Sequence, residues 1–200
     1  MLEAKKRLSP SVLGVSMLLM GSLAGNALAQ FEGFIDPKDA FQWASNYDDV
    51  FILDVRTSEE WRWVGHPGPN GLADSKGRGL AYESGALLVG KVANIAYMIQ
   101  KNDGTPGLMA NAFFVDDVLA TFDPVSDVLL VMCRSGGRAQ AAAEELGGQG
   151  FTTYNIEGGF EGQTNTDAYP GPDTLYRDVD GWVNAKLPYN YETAGGYYVD

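Results

Sequence analysis

The chain has 200 residues and a formal net charge of −12 at pH 7, from 14 Lys and Arg against 26 Asp and Glu, with a single Cys and a single His. So acidic a surface, with no basic arm, argues against nucleic acid or anionic membrane as a partner, and one Cys rules out an internal disulfide. With one His, neither a His-based metal cluster nor a Ser-His-Asp or Cys-His relay can be built without His66, and no metal or other cofactor is expected.

Residues 1–29 begin basic (Lys5, Lys6, Arg7), run apolar from Val12 to about Leu23 and end on Asn26-Ala27-Leu28-Ala29. This is the pattern of a cleavable secretory signal peptide with an Ala-x-Ala site. The apolar stretch is interrupted by Gly14, Ser16, Gly21 and Ser22 and is short for a membrane-spanning helix, which needs about 20 apolar residues. The expectation is an exported protein with no membrane span in the mature chain, periplasmic in a Gram-negative bacterium and otherwise secreted. Residues 30–200 then have the length of one α/β domain with a sizeable core.

Asp36 followed by Pro37 predicts a capped helix to about Tyr47. A strand over Val50–Val55 follows, and Thr57 or Ser58 caps a short helix containing Glu59, Glu60 and Trp61, with Arg56 placed to pair with Glu60. From Gly65 to Gly90 the chain is Gly-rich, and Val92–Tyr97 reads as the next strand. Asn111 opens a helix to about Phe122, with Phe114, Val118 and Leu119 on one face. Val128–Met132 is a short β-branched, apolar run that reads as a fully buried strand, Arg138–Leu146 as an Ala- and Glu-rich helix, and Thr152–Ile156 as a last strand. Strands alternating with helices over short connections predict a mostly parallel sheet covered on both faces, with ligands beyond the carboxyl ends of the strands.

That is where Cys133 falls. The segment CRSGGR, residues 133–138, joins the buried strand to the helix after it. A compact loop with two glycines ahead of a helix turns backbone N–H groups inward, and these donors with the positive helix end favour an anion. A free thiol titrates at about 8.5, and a helix dipole supplies only about 0.3–1 kcal/mol toward the thiolate. The remainder is expected from the loop amides and from Arg134 and Arg138, which are also candidates to hold an anionic substrate. Cys133 is therefore a candidate nucleophile, the alternative being a small buried cysteine packed under a helix.

CRSGGR resembles the active-site loop Cys-x-x-Gly-x-Arg of the rhodanese family of sulfurtransferases, and further blocks follow in that family's order. FILDVRTSEEW (51–61) is similar to its strand ending in Asp-x-Arg, VGHPG (64–68) to its Gly-His block and VANIAY (92–97) to its Asn-Ile strand. YNIEGGFEG (154–162) resembles the segment after its catalytic helix, and DGWVNAKLPY (180–189) its closing Gly-Trp and Leu-Pro block. The resemblance implies a single rhodanese-like domain, a three-layer α/β fold with a mostly parallel central sheet flanked by helices. It also implies a reaction in which Cys133 takes sulfur from a small sulfur-containing anion such as thiosulfate, carries it as a persulfide and yields it to a thiophilic acceptor. Cys133 is then catalytic, Arg134, Ser135, Gly136, Gly137 and Arg138 bind substrate, and Asp54 and Arg56 support the loop. Four residues separate Cys133 from Arg138, as in sulfurtransferases, where the related phosphatases and arsenate reductases have five. A Cys-dependent phosphatase or arsenate reductase is thereby disfavoured, and a persulfide carrier serving a partner enzyme stands as the other alternative.

Two inserts depart from the family pattern. His66 and Asn94 are 28 positions apart where the family has them nearly adjacent, and a polar Gly- and Pro-containing stretch separates Gly158-Gly159-Phe160 from Gly181-Trp182. One or both of these inserts, near 67–90 and 163–180, are expected to border the active-site mouth and to select donor or acceptor, the alternative being solvated decoration. His66, in a loop after Gly65, is expected to be structural, as are Trp61, Trp63 and Trp182 as core or rim aromatics. Asp173, Asp178 and Asp180 read as a solvated loop lacking EF-hand spacing, and the tyrosines at 189, 191, 197 and 198 as a tail that docks or stays loose.

Overall fold

The structure, a computed structural model, describes residues 30–68, 88, 90–166 and 176–191. The signal-peptide reading, most of the first insert, Asp173, Tyr197 and Tyr198 lie outside the described residues.

Five strands form one all-parallel sheet: β1 (Phe31–Ile35), β2 (Val50–Asp54), β4 (Val92–Asn94), β7 (Val128–Met132) and β8 (Thr152–Ile156). Their spatial order is β1-β8-β7-β2-β4, which puts β7 at the centre. A central parallel strand has both faces covered and so must be apolar throughout, and all five residues of β7 are buried. Along it Val128, Leu130 and Met132 join one apolar cluster, and Leu129, Val131 and Cys133 the other. The pleat therefore carries the Cys133 side chain to the second face.

The first face is covered by α1 (Pro37–Asn46), through Ala40 and Ala44, and by Trp61 of α2 (Ser58–Val64). Both helix starts follow their sequence signals. The Asp36 side chain accepts from Lys38 N–H with Pro37 in the first turn, and Thr57 with Glu60 forms a complete capping box. The second face is covered by α3 (Phe114–Thr121) and α4 (Gly137–Gly148). Small residues let α4 approach the sheet closely: Ala139, Ala142, Ala143 and Gly147 are all buried, and the Thr153 hydroxyl donates to the Ala143 carbonyl at 2.8 Å. The three-layer α/β arrangement expected from the sequence is the one observed.

Three local departures have physical reasons. Leu119 is 41% exposed while Phe114 and Val118 are buried, because residue 119 lies about 100° around the helix from Val118. The strand expected through Tyr97 ends at Asn94, whose Nδ2 donates to the carbonyls of Asp54 and Arg56, both at 2.9 Å, and the chain then stays beside the end of β2 through Ile95 N–H to the Asp54 carbonyl and Tyr97 N–H to the Val55 carbonyl, both at 3.1 Å. There it enters an antiparallel hairpin, β5 (Met98–Gln100) with β6 (Leu108–Ala110). Arg56 does not pair with Glu60: its guanidinium bonds Asp54 at 2.6 Å, and Glu60 bonds Arg138 instead.

Two short pairs complete the rim. β3 (His66–Pro67) pairs with β11 (Tyr189–Asn190), and β9 (Gln163–Thr164) with β10 (Arg177–Val179). No helix among the described residues is long and apolar enough to cross a membrane.

Candidate active site

Cys133 follows the last residue of β7, and α4 begins four residues later, so the loop stands at the carboxyl edge of the central strand. What holds this loop is its carbonyls. Phe160 N–H donates to the Cys133 carbonyl at 2.8 Å, Glu161 N–H to that of Arg134 at 2.9 Å, and Asn155 Nδ2 to that of Gly136 at 3.1 Å. With these carbonyls engaged by groups outside the loop, the Gly136 N–H is left for its inside. The Gly136 N–H meets Cys133 Sγ at 3.2 Å.

Gly136 has φ +104°, a conformation that side-chain-bearing residues rarely adopt. Gly159, φ +59°, sits so tightly behind the loop that a Cβ there would collide with the Cys133 carbonyl. Gly159 is thus needed to bring the turn after β8 against the loop, while Gly158 leaves room for the backbone of Asp180 and Gly181.

Cys133 is 1% exposed, with its body packed in the apolar cluster of Leu53, Val55, Ala139 and their neighbours. Among the described contacts one backbone amide, rather than a ring of them, faces the sulfur. The thiol thus has apolar packing on one side and a single amide donor on the other, fewer donors than the several loop amides and two arginines expected from the sequence.

The two arginines of the loop are committed to carboxylates. Arg138 makes two hydrogen bonds to Glu60, Nη1 to Oε2 at 2.6 Å and Nη2 to Oε1 at 2.7 Å. Burial acts to raise the Glu60 pKa, but the Arg138 hydrogen bond and charge, helped by the Thr57 N–H and Arg56, hold it below the ordinary carboxylate value. The Glu60 hydrogen bond likewise holds Arg138 above its ordinary value against burial, with smaller contributions from the Glu60, Cys133 and Asp54 charges. Arg134 is half exposed and bonds Glu161 through Nε at 3.0 Å. Ser135 is half-buried, and Gly137 is exposed at the first turn of α4.

Asp54 and Arg56 lie deeper. Both are fully buried and form a multidentate pair, and Arg56 Nη2 also donates to the Gly65 carbonyl at 2.7 Å. The Arg56 guanidinium stacks on Phe160 at 4.1 Å, in the turn that holds the Cys133 carbonyl. This pair thus braces the loop from beneath. His66 is buried and stacked on Trp61, with ring centroids 3.9 Å apart, and Trp182 donates to the Pro188 carbonyl at 2.8 Å. Trp61 and Trp182 are core residues, whereas Trp63 is 76% exposed.

A cavity of about 420 Å³ adjoins the loop on its β8 side, lined by Ser135, Gly136 and Gly137 together with Asn155, Glu157 and Asp180 among others. Cys133 does not line it. Gln163 and Asp180 bring the two ends of the second insert to this cavity, while residues 167–175 lie outside the described residues. Asn155, Glu157 and Glu161 were not singled out by the sequence, although all three fall in the YNIEGGFEG block. No group of three or more His, Cys, Asp or Glu able to hold a metal occurs among the described residues.

No protein-family model matches the chain. An uncharacterized protein of Rickettsia conorii is 28% identical over 154 residues, 76% of this chain and 92% of the relative. An uncharacterized protein of Rickettsia prowazekii is 28% identical over 146 residues, 72% of this chain and 85% of the relative. Among solved structures, the crystal structure of Rv0390 from M. tuberculosis is similar with a TM-score of 0.56 and 27% identity, covering 80% of this chain and 98% of that one. A rhodanese-related protein from Thermoplasma volcanium gives a TM-score of 0.42 at 16% identity, covering 80% of this chain and 99% of that one. With its parallel sheet, flanking helices and Cys-bearing loop between β7 and α4, the fold is rhodanese-like.

Proposed function

We propose that the protein is an exported sulfurtransferase working through a persulfide on Cys133. The observation that carries this reading is the Gly136 N–H at 3.2 Å from Cys133 Sγ, in a Cys-x-x-Gly-x-Arg loop between a buried parallel strand and a helix. The Cys133 thiolate attacks the outer sulfur of a donor such as thiosulfate. A new S–S bond forms, the donor's S–S bond breaks, and sulfite leaves with the bonding electron pair. An acceptor nucleophile, cyanide or a thiolate, then attacks the outer sulfur of the persulfide and returns Cys133 as thiolate. The inward amide stabilises the Cys133 thiolate, both as the attacking nucleophile and as the leaving group when the acceptor takes the outer sulfur.

The arginines fit this scheme as part of the frame and as a point of capture. Arg138 is held by two oxygens of Glu60, whereas Arg134, half exposed and paired with Glu161 through one contact, is the arginine whose partner an incoming anion displaces at lower cost. The pairing of both arginines and the burial of the thiol favour slow turnover, as expected of a persulfide carrier that loads sulfur for a partner protein. Export is supported by the signal-peptide-like pattern of residues 1–29.

Incubation with thiosulfate and cyanide tests the reading. Wild type is expected to form thiocyanate and Cys133→Ala none, while phosphoesters stay intact. Phosphoester cleavage without thiocyanate would assign the loop to phosphatase chemistry instead. Loading of one sulfur per chain without repeated turnover identifies the carrier variant.

A further inference from the structure

The cavity on the β8 side of the loop opens at the start of α4 but offers an anion no cationic side chain. Its lining contains the carboxylates of Glu157 and Asp180, the carboxamides of Gln140, Asn155 and Gln163, and the ring of Phe34, and no Lys, Arg or His among the described residues. Neither carboxylate meets a cation among the described residues. Phe34 is 55% exposed, leaving an aromatic face at the rim. At the inner end Asn155 is 1% exposed, and its Oδ1 is buried with no hydrogen-bond partner. A buried carbonyl oxygen without a donor is unfavourable, so Asn155 Oδ1 is an unmatched acceptor beside a cavity that also carries two carboxylates and an aromatic ring.

These are the complements of an organic ammonium group: carboxylates for its charge, an amide oxygen for its N–H and a ring face for its polarised methylenes. We propose that this cavity is a binding site for a small primary amine, with Glu157 and Asp180 holding the charge and Asn155 Oδ1 accepting an N–H. Its volume of about 420 Å³ suits a small molecule rather than a single ion. The site shares the Cys133 loop without containing the sulfur. Asn155 donates through Nδ2 to the Gly136 carbonyl at 3.1 Å, and the Gly136 N–H donates to Cys133 Sγ at 3.2 Å. An amine on Asn155 is thus two hydrogen bonds from the thiol, and the Gly136 amide is the reporter for it.

The test is an NMR titration of the 15N-labelled chain with 1,4-diaminobutane, and with 1,4-butanediol and succinate as neutral and anionic matches of the same carbon skeleton. The diamine is expected to give saturable shifts at Gly136, Gly137 and the Asn155 side-chain amide, and the two controls none. Glu157→Gln with Asp180→Asn should weaken binding about tenfold or more, as loss of charge-assisted contacts does. Asp39→Asn with Asp116→Asn, exposed carboxylates on α1 and α3, should leave it unchanged. Unsaturable shifts scattered over the acidic surface, an equal response to the diol, or full binding by the cavity variant would each overturn the proposal. Cys133→Ser is expected to bind the diamine as wild type does, so the result stands apart from whether Cys133 carries sulfur.

Discussion

On the β2 flank of the Cys133 loop the charges are matched inside the protein: Asp54 with Arg56, both at 0% exposure, and Glu60 with Arg138 through two hydrogen bonds. On the β8 flank the same loop meets an open cavity, two carboxylates without a cation among the described residues and an Asn155 oxygen without a donor. A desolvated ion pair is costly to separate, because each partner left alone is a buried charge. The first flank is therefore a frame, and the second is where a ligand can enter without dismantling one.

The contrast breaks most severely at Asp54. Asp54→Ala strands the Arg56 guanidinium in the core and is expected to cost about 3–5 kcal/mol, read as a lowered midpoint in urea unfolding. Adding Arg56→Met removes the stranded charge and should recover much of that loss, whereas simple additivity of two damaging changes would show that the pair is not a unit.

Glu60→Gln comes next. It keeps the shape and removes the charge facing Arg138, at an expected cost of about 1–3 kcal/mol, between the losses typical of exposed and buried pairs. Because the folded state holds Glu60 below its ordinary value of 4.5, its contribution is fully present above that value and is lost as pH falls through the lower folded one. Unfolding curves across acid pH should show the wild-type advantage over Glu60→Gln closing on acidification. An advantage that does not depend on pH would deny the ion pair its role.

On the other flank, Asn155→Ala removes one donor from the Gly136 carbonyl and should cost about 1 kcal/mol. The accompanying signature is a shift of the Gly136 amide resonance, which a distant packing defect would not produce. Arg134→Ala is the mildest change: half exposed and singly bonded, it should alter stability by less than about 1 kcal/mol. Its expected effect is on capture, a raised KM for thiosulfate with little change in kcat. A large fall in stability would move Arg134 from the capture role to the frame.

The parts of this architecture legible in the sequence are those written locally. The uninterrupted apolar run of β7 announced a strand buried on both faces, Asp36-Pro37 and Thr57 announced their helix starts, and CRSGGR placed the cysteine at a strand-to-helix turn. What was illegible depends on distant partners. Glu60 and Arg138 are 78 residues apart, so proximity in sequence favoured the wrong partner, Arg56, which the fold gives to Asp54. Strand β1, FEGFI, is interrupted by Gly33 and exists because its backbone pairs with β8 at the far end of the chain. The hairpin of β5 and β6 similarly has little apolar patterning, since Ile99 and Met109, paired across it, both face solvent. The cavity was beyond reach for the same reason: residues 34, 140, 155 and 180 meet only when β1, α4, β8 and the second insert converge.

Intact mass spectrometry of wild type and Cys133→Ser after exposure to thiosulfate tests the central assignment most directly. One added sulfur atom per wild-type chain, removed by cyanide, is expected, and none on Cys133→Ser. An unmodified wild-type chain, or equal loading of both proteins, would contradict it.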